Sequence, residues 1–395
     1  MLKRTIVSGE QHRFGGSGVM YSARSESLPD GVLAEYAGKV RVIYLDPPFG
    51  SGGAFEFKDK SAVRAYEDRQ SEADYLAMMR RVLSVCRDLL SPSGSIYLHI
   101  DYRMSGKLRM LMDELFGEGN LMNEIIWSYR SGGRSVRHYS RKHDTILFYR
   151  KTKDVYFDIT KTGVPRGNTR RNHMKRRADE DGRIYFSIRS GGKEYRYYED
   201  DPVYPSDVWD DIEHLHQRDP ERTGFATQKP EALLRRIIAA SSEEGDIVCD
   251  LFSGSGTAAV VAAAMGRRFL TCDCGQAALF ASRRRLIEAG RSTELFESDR
   301  PFTILYTDPE AVTGVEDPGS CVVVTPALGG SFVTVPGEGG AGCAFLASGR
   351  VENGVFVAED CITRPKKNDE LFIANGRTLH IVDSGCRQGF FTLEE

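Results

Sequence analysis

One stretch combines residue types that could do chemistry, since Asp46-Pro47-Pro48-Phe49 directly follows a short apolar run over residues 40–45. The run predicts a buried parallel strand, and the two prolines end it because they cannot donate to a strand ladder. A carboxylate, a stiff backbone and an aromatic ring are therefore expected at the carboxyl end of a central strand, where open α/β sheets bind ligands. An ordinary strand-ending turn could contain the same four residues.

A second corner follows a predicted buried strand over residues 246–250. The segment Asp250–Thr257 reads as a strand end, a glycine turn and a helix start, which lets a ligand approach the backbone closely. Asp273 ends the next predicted strand, where an acidic residue can accept the hydroxyls of a ribose. A dinucleotide site is the obvious competitor, but Ala259 stands where its third glycine would be.

Alternating strands and helices must position these two corners. Apolar residues at helical spacing predict helices over residues 75–90 and 106–116, with strands over 95–100, 125–127 and 145–149 between and after them. Further helices are expected over 257–265 and 277–289, so the chain favours a mostly parallel sheet. Beyond residue 300, β-branched runs separated by glycine predict a small all-β domain.

Composition limits the class of protein. A chain of 395 residues with net charge −3 is typical of a globular protein of two or three domains. Its eight cysteines have no metal-like spacing, so we expect reduced thiols, a cytoplasmic location and no metal site. The N-terminus shows no leader pattern and no stretch approaches membrane-spanning length, so no membrane contact is expected.

Charge is distributed unevenly along the chain. Residues 129–177 hold fifteen Lys and Arg against three Asp, with aromatic residues between them. A solvated face is the ordinary explanation of such a run, but this excess favours a phosphate-backbone partner. Residues 301–395 hold thirteen acids against six bases, so we expect that region to repel phosphate and to contact protein.

The motifs resemble those of a known family. Phe252-x-Gly254-x-Gly256, Asp46–Phe49 and Thr227-Gln228-Lys229-Pro230 are similar to motifs of S-adenosylmethionine-dependent DNA amino-methyltransferases, and their order resembles the β class. The resemblance covers about residues 19 to 290 and implies an α/β, Rossmann-like class I methyltransferase sheet with a basic target-recognition insertion and a small C-terminal β domain. It also implies methyl transfer to adenine N6 of a flipped-out base in double-stranded DNA, as in restriction-modification systems.

The resemblance also implies roles for particular residues. Asp46, Pro47, Pro48 and Phe49 would form the catalytic loop, and Phe49 would stack on the base. The cofactor S-adenosylmethionine would be held by seven residues: Asp250, Phe252, Gly254, Gly256, Asp273, Thr227 and Lys229. DNA would be bound by nine basic residues: Arg134, Arg137, Arg141, Lys142, Arg170, Arg171, Lys175, Arg176 and Arg177.

The family pattern divides the chain and leaves alternatives. We expect a catalytic half (1–128), a target-recognition region (129–226), a cofactor-binding half (227–299) and an acidic β domain (300–395) that contacts a second copy or a partner subunit. Such enzymes usually carry a Gly-Asp pair before the catalytic motif, but Ala23 stands at the place of that Asp. The alternatives are a cytosine-N4 methyltransferase, an RNA methyltransferase, or a weakly active DNA-binding subunit of the same fold.

Overall fold

The structure is a computed structural model. It describes residues 2–12, 16–48, 54–58, 62–67, 71–130, 135–166, 174–225, 227–292, 301–308, 315, 321–328, 330–335, 343–366, 369–384 and 386–394. Among these residues, no helix is both long enough and apolar enough to cross a membrane.

Six helices and twenty-five strands are described. The helices are α1 (Asp30–Tyr36), α2 (Glu72–Leu89), α3 (Ser105–Phe116), α4 (Glu231–Ser241), α5 (Thr257–Ala264) and α6 (Gln276–Ser292). The strands are β1 (Leu2–Arg4), β2 (Gly9–His12), β3 (Gly18–Ser22), β4 (Val40–Leu45), β5 (Ala54–Lys58), β6 (Ala62–Glu67), β7 (Leu90–Ile100), β8 (Leu121–Ser128), β9 (His143–Arg150), β10 (Val164–Pro165), β11 (Lys175–Ala178), β12 (Ile184–Ser190), β13 (Lys193–Tyr198), β14 (Pro202–Val203), β15 (Val208–Trp209), β16 (Ile247–Asp250), β17 (Arg268–Asp273), β18 (Phe302–Tyr306), β19 (Val323–Ala327), β20 (Gly330–Thr334), β21 (Cys343–Glu352), β22 (Val355–Ile362), β23 (Glu370–Ala374), β24 (Thr378–Asp383) and β25 (Gln388–Leu393).

Fifteen strands form one large mixed sheet. Their order is β1-β25-β24-β21-β22-β2-β18-β3-β17-β16-β4-β7-β9-β8-β15. The central strands β18, β3, β17, β16, β4 and β7 are all parallel to their neighbours within that group, whereas β9 is antiparallel to both β7 and β8. The strand order reverses between β16 and β4, so their carboxyl ends border a topological switch point, where α/β folds bind ligands.

Helices cover both faces of the central sheet. Val42 and Tyr44 of β4 face the apolar core that contains residues of α4, α5 and α6. Ile43 and Leu45 face the opposite core, which contains residues of α1, α2 and α3. Alternate side chains of one strand thus pack in two different layers. The three layers and the parallel centre define an α/β, Rossmann-like fold, as the sequence predicted.

The predicted elements match closely where the hydrophobic pattern is local. The two buried strands predicted before Asp46 and within 246–250 are β4 and β16, and the Ala-rich helix is α5. Helix α2 begins at Glu72 because Ser71 caps it by accepting a hydrogen bond from the Asp74 backbone N–H. The prediction of a mostly parallel sheet holds only for the centre, since both outer portions contain antiparallel pairs.

The C-terminal strands continue the large sheet. Strand β18 pairs with β3 of the parallel centre, and β2 joins β18 to β22. The N-terminal strand β1 pairs with β25 at the far edge. Strands β19, β20 and β23 form a separate three-stranded sheet. The region beyond residue 300 is rich in strands as predicted, but it shares a sheet with residues 2–12. The division of the chain into four domains remains a prediction.

Candidate active site

A cavity lies at the carboxyl ends of β4 and β16. Two acidic corners, the loop before α4 and the segment after β3 supply most of its lining residues: Arg24, Ser25, Glu26, Tyr44, Asp46, Pro48, Met78, Phe225, Thr227, Lys229, Leu234, Asp250, Phe252, Ser253, Gly254, Ser255, Thr257, Ala258, Asp273, Cys274, Gly275 and Ala278. Segments far apart in sequence thus meet at the switch point of the sheet.

The first corner is an ion pair at the end of β4. The Lys229 Nζ atom lies 2.5 Å from Asp46 Oδ2, and both side chains are largely buried. Asp46 Oδ1 is also buried and has no hydrogen-bond partner among the described residues. Pro48 borders the cavity, Pro47 is buried, and Phe49 lies outside the described residues. One carboxylate oxygen is therefore held by a cation while the other is left for a ligand.

The second corner is a tight turn fixed by two carboxylates. Asp250 accepts a hydrogen bond from the Phe252 N–H at 3.0 Å, and Asp273 accepts from the N–H groups of Gly254 at 2.9 Å and Gly275 at 2.8 Å. Gly256 has φ of 75°, and a Cβ there would meet Ser282 Oγ at 2.6 Å. Only glycine allows this turn and its close packing on α6.

Burial makes the carboxyl groups of Asp250 and Asp273 poor anions. It raises the pKa of Asp250 to about 8, and the charges of Asp46 and Asp273 act in the same direction. It also raises the pKa of Asp273 to about 6, although backbone N–H donors oppose the rise. The cavity lining holds four acidic side chains and two basic ones. The acidic residues are Glu26, Asp46, Asp250 and Asp273, and the basic residues are Arg24 and Lys229. A cationic ligand would relieve that imbalance.

The loop before α4 places Lys229 beside Asp46. Gln228 fixes this loop, because its side chain accepts from the Thr223 N–H at 2.8 Å and donates to the Glu221 carbonyl at 2.7 Å. The Thr257 hydroxyl of α5 donates to the Lys229 carbonyl at 3.3 Å. Thr227 lines the cavity as well. Six of the seven residues predicted to hold the cofactor therefore border one cavity, and the seventh, Gly256, lies in the turn between two lining residues, Ser255 and Thr257.

An acidic residue shortly after the position of the missing aspartate borders the cavity. Ala23 is buried, and its N–H donates to the Asp273 carbonyl at 3.1 Å. Three residues further on, the Glu26 side chain lines the cavity and accepts a hydrogen bond from Arg24 Nε at 2.9 Å. Glu26 was not predicted from the sequence, because the family pattern has its acid at position 23.

The basic region lies partly on open surface. Arg137 and Arg141 are exposed and flank Tyr139, which is 98% exposed, and the Arg141 guanidinium lies 4.1 Å from the centre of the Tyr102 ring. Tyr102 follows the carboxyl end of β7, the strand beside β4. The loop that carries Arg137 and Arg141 therefore borders the same end of the sheet as the Asp46 corner.

The remaining predicted DNA-binding residues differ in their exposure and in their partners. Lys175 and Arg177 are exposed on β11, but Arg176 forms an ion pair with Glu199 at 3.2 Å. Lys142 is half-buried, and its Nζ lies 3.4 Å from the Arg130 carbonyl. Arg134, Arg170 and Arg171 lie outside the described residues.

Fold and site together define a Rossmann-like protein with a ligand cavity at the switch point and a lysine-held carboxylate at its rim. The family model described as "DNA methylase" matches residues 40–282, which include every one of these cavity motifs. The chain therefore belongs to the DNA methylase family, which confirms the family predicted from the motifs.

Known relatives are similar over part of the chain. The chain is 29% identical over 291 residues to the type II methyltransferase M.EcaI of Enterobacter cloacae, covering 62% of this chain and 63% of that protein. It is 30% identical over 258 residues to the DNA adenine methyltransferase YhdJ of Escherichia coli strain K12, covering 63% and 77%. The PvuII cytosine-N4-specific DNA methyltransferase structure is 16% identical, with TM-score 0.47 over 71% of this chain and 89% of that one.

The raised pKa of Asp250 predicts a pH-dependent effect of Asp250→Asn on the protein without ligand. The folded chain keeps this proton up to about pH 8, whereas an unfolded Asp releases it near pH 4. Wild-type stability is thus lost as pH rises through this window, by up to about 1.4 kcal/mol per pH unit. We expect the melting temperature of the variant, relative to wild type, to increase from pH 5 to pH 8. If the melting temperatures of the variant and of wild type changed equally with pH, the raised pKa of Asp250 would be contradicted.

Proposed function

We propose that this protein transfers a methyl group from S-adenosylmethionine to the N6 amino group of adenine in double-stranded DNA. The observation that carries the proposal is the buried, lysine-held Asp46 at the rim of a cavity built from the cofactor motifs. The resemblance favours adenine because Asp at the first position of the catalytic motif goes mostly with that base. The relative YhdJ, named a DNA adenine methyltransferase, supports the same substrate.

The cavity residues fit the cofactor by charge and shape. When bound, S-adenosylmethionine supplies an electrophilic methyl group on a cationic sulfonium. Asp250 and Asp273 lie beside the turn at Gly254, and a bound cation would favour the charged form of both carboxyl groups. The Ser253 hydroxyl is buried without a partner among the described residues, so it too is available to a polar ligand.

Asp46 prepares the amino group for attack. An aromatic amine is a poor nucleophile because its lone pair is delocalised into the ring. A carboxylate that accepts one N–H, with the Pro47 carbonyl accepting the other, would draw the nitrogen toward tetrahedral geometry. Lys229 holds Asp46 Oδ2, which fixes the orientation of the carboxylate and leaves Oδ1 for the base. Asp46 is also placed to take the proton that the nitrogen gives up.

DNA must present its base outside the duplex to reach this corner. Flipping costs a few kcal/mol, and phosphate contacts beside the cavity would help to supply that energy. The loop with Arg137, Tyr139 and Arg141 lies at the same end of the sheet as Asp46 and is exposed. This surface is our candidate for the DNA-contacting side of the target-recognition region.

The direct experiment is labelled methyl transfer to duplex DNA, single-stranded DNA and RNA, followed by identification of the modified base. We expect N6-methyladenine in duplex DNA. Asp46→Asn should lower the transfer rate at least about a hundredfold, because the carboxylate charge is lost while the shape remains.

Asp246→Asn is the matched control. Asp246 also pairs with a basic side chain, Arg41, at 3.0 Å, but it precedes β16 at the opposite end of the strands. We expect the control to keep wild-type activity. Transfer by Asp46→Asn within about tenfold of wild type would refute the catalytic role, and N4-methylcytosine or modified RNA would refute the substrate.

The basic loop predicts a salt effect on DNA binding. Replacing Arg137 and Arg141 by Ala should flatten the slope of log affinity against log salt by about 1.8, or about 0.9 for each lost phosphate contact. Arg183→Ala is the control, since this exposed side chain is neutralised by both carboxylate oxygens of Asp200. An unchanged slope in the double variant would make the loop a solvated surface.

We also propose that the C-terminal region contacts a second copy of the chain. Its small three-stranded sheet exposes an aromatic pair, Phe332 and Phe372, whose ring centres lie 5.3 Å apart and which are 42% and 44% exposed. The acidic character of residues 301–395 complements the basic region of another copy.

Light scattering on the full chain over a range of concentrations tests this contact. We expect a dimer that Phe332→Asp dissociates, because a charge would be buried in the apolar contact. Met110→Asp is the control, since Met110 is 74% exposed on α3. A wild-type protein that stays monomeric at all concentrations would contradict the proposal.

A further inference from the structure

Tyr44 is a buried residue of the cavity that neither the motifs nor the proposed mechanism uses. It is only 2% exposed, yet it lines the same cavity as Asp46, Asp250 and Lys229. Tyr44 lies at the end of β4, two residues before Asp46, which directly follows the strand. The phenol therefore lies beside the corner at which the methyl group would be transferred.

A chain of hydrogen bonds fixes the direction of the Tyr44 hydroxyl. Its oxygen lies 2.8 Å from His99 Nδ1, and His99 Nε2 lies 3.2 Å from Asp144 Oδ2. A carboxylate only accepts hydrogen bonds, so Nε2 carries the hydrogen, and in that tautomer Nδ1 is the acceptor. The Tyr44 O–H therefore donates to His99, and its oxygen lone pairs remain for the cavity.

The charges around these hydrogen bonds agree with a Tyr44 O–H that donates to His99. Burial would raise the pKa of the Asp144 carboxyl, but the His99 hydrogen bond and nearby positive charges bring the pKa below its ordinary value. Burial, together with Asp46, Asp250 and Asp144, raises the pKa of Tyr44 well above its ordinary value. The phenol is therefore neutral, and its surroundings favour a positive ligand.

We propose that Tyr44 contacts the sulfonium end of S-adenosylmethionine through its hydroxyl oxygen, and that His99 and Asp144 are positioning residues that keep the lone pairs of this oxygen turned to the cavity. The inference rests on the proposed function, since it takes that cofactor as the occupant. The C–H groups next to a sulfonium carry partial positive charge and are donors of weak hydrogen bonds to oxygen. Tyr44 would thus distinguish the substrate form of the cofactor from its demethylated product.

Tyr97 offers a matched comparison within the same sheet. It pairs with Tyr44 across β4 and β7, is equally buried, and its hydroxyl forms a 2.6 Å hydrogen bond with Ser241 Oγ. Its ring stacks on Phe148 with centres 4.2 Å apart, and it is absent from the lining of the cavity. Loss of its hydroxyl would therefore remove a buried hydrogen bond without removing a ligand contact.

The test is calorimetric measurement of two affinities for each full-length variant, one for S-adenosylmethionine and one for S-adenosylhomocysteine, which lacks the methyl group and the positive charge. Tyr44→Phe should weaken the first about fivefold and the second less than twofold, as expected for a few weak C–H···O contacts. Tyr97→Phe should leave the ratio of the two affinities unchanged. Equal weakening of both ligands by Tyr44→Phe, or an equal change of the ratio in Tyr97→Phe, would overturn the inference.

Two variants of His99 test the positioning role. His99→Leu removes the acceptor, which frees the Tyr44 O–H to turn toward the sulfonium, so the affinity ratio should fall as in Tyr44→Phe. His99→Gln retains a side-chain acceptor and should restore most of the ratio. A ratio that follows the melting temperature of the variants, rather than the presence of an acceptor, would make the role structural.

The two proposals fail in different ways. A wild-type protein that prefers S-adenosylmethionine through Tyr44 but methylates no DNA would refute the proposed function alone. A protein that methylates DNA while Tyr44→Phe keeps the wild-type ratio would refute this inference alone.

Discussion

The ion pair between Lys229 and Asp46 is the interaction on which the cavity depends. Carboxyl groups crowd this site, and burial raises the pKa of Asp250 to about 8, so the protein groups around it support negative charge poorly. The Lys229 ammonium opposes the rise in the pKa of Asp250 and, after His99, contributes to the lowered pKa of Asp144, while it binds Asp46 directly. A single cation therefore acts on three carboxyl groups from different strands. Removing one partner of a largely buried pair would leave an uncompensated charge.

The parallel centre of the sheet explains how distant segments meet at this pair. Strands β4 and β16 are adjacent and parallel, although more than 200 residues separate them in the chain. Asp46 directly follows β4 and Asp250 ends β16. The loop that carries Lys229 leads into α4, which packs on the face that Tyr44 also faces. The order of the motifs in the sequence is thus unimportant for geometry, because the strand order alone brings the two corners together.

The local parts of this arrangement were predictable from the sequence. The apolar run before Asp46 and the glycine turn after Asp250 each specify their own conformation, so the two corners and their ligand-binding end of the sheet followed directly. Contacts that depend on strand pairing were not predictable. Nothing in the sequence around Tyr44 indicates His99, and nothing around His99 indicates Asp144, because these residues meet only across β4, β7 and β9. Likewise, the pairing of Arg176 with Glu199 depends on the register of the β11–β13 sheet, which composition cannot give.

The same limit explains why the C-terminal region resembled a separate domain. Its short β runs and acidic composition are local signals, whereas its attachment to the core is a long-range one. Glu10 of β2 is fully buried and accepts hydrogen bonds from Arg283 of α6 and, at 2.8 Å, from the Tyr306 hydroxyl. Arg283 also donates to Gln388 of β25 at 2.8 Å, so one buried network joins β2, α6 and the C-terminal strands. Desolvating Glu10 and Arg283 is costly unless every partner is present, so cutting the chain near residue 300 would expose both a buried charge and the edge of β3. The C-terminal strands are therefore part of what completes the central sheet, whatever partner their outer surface binds.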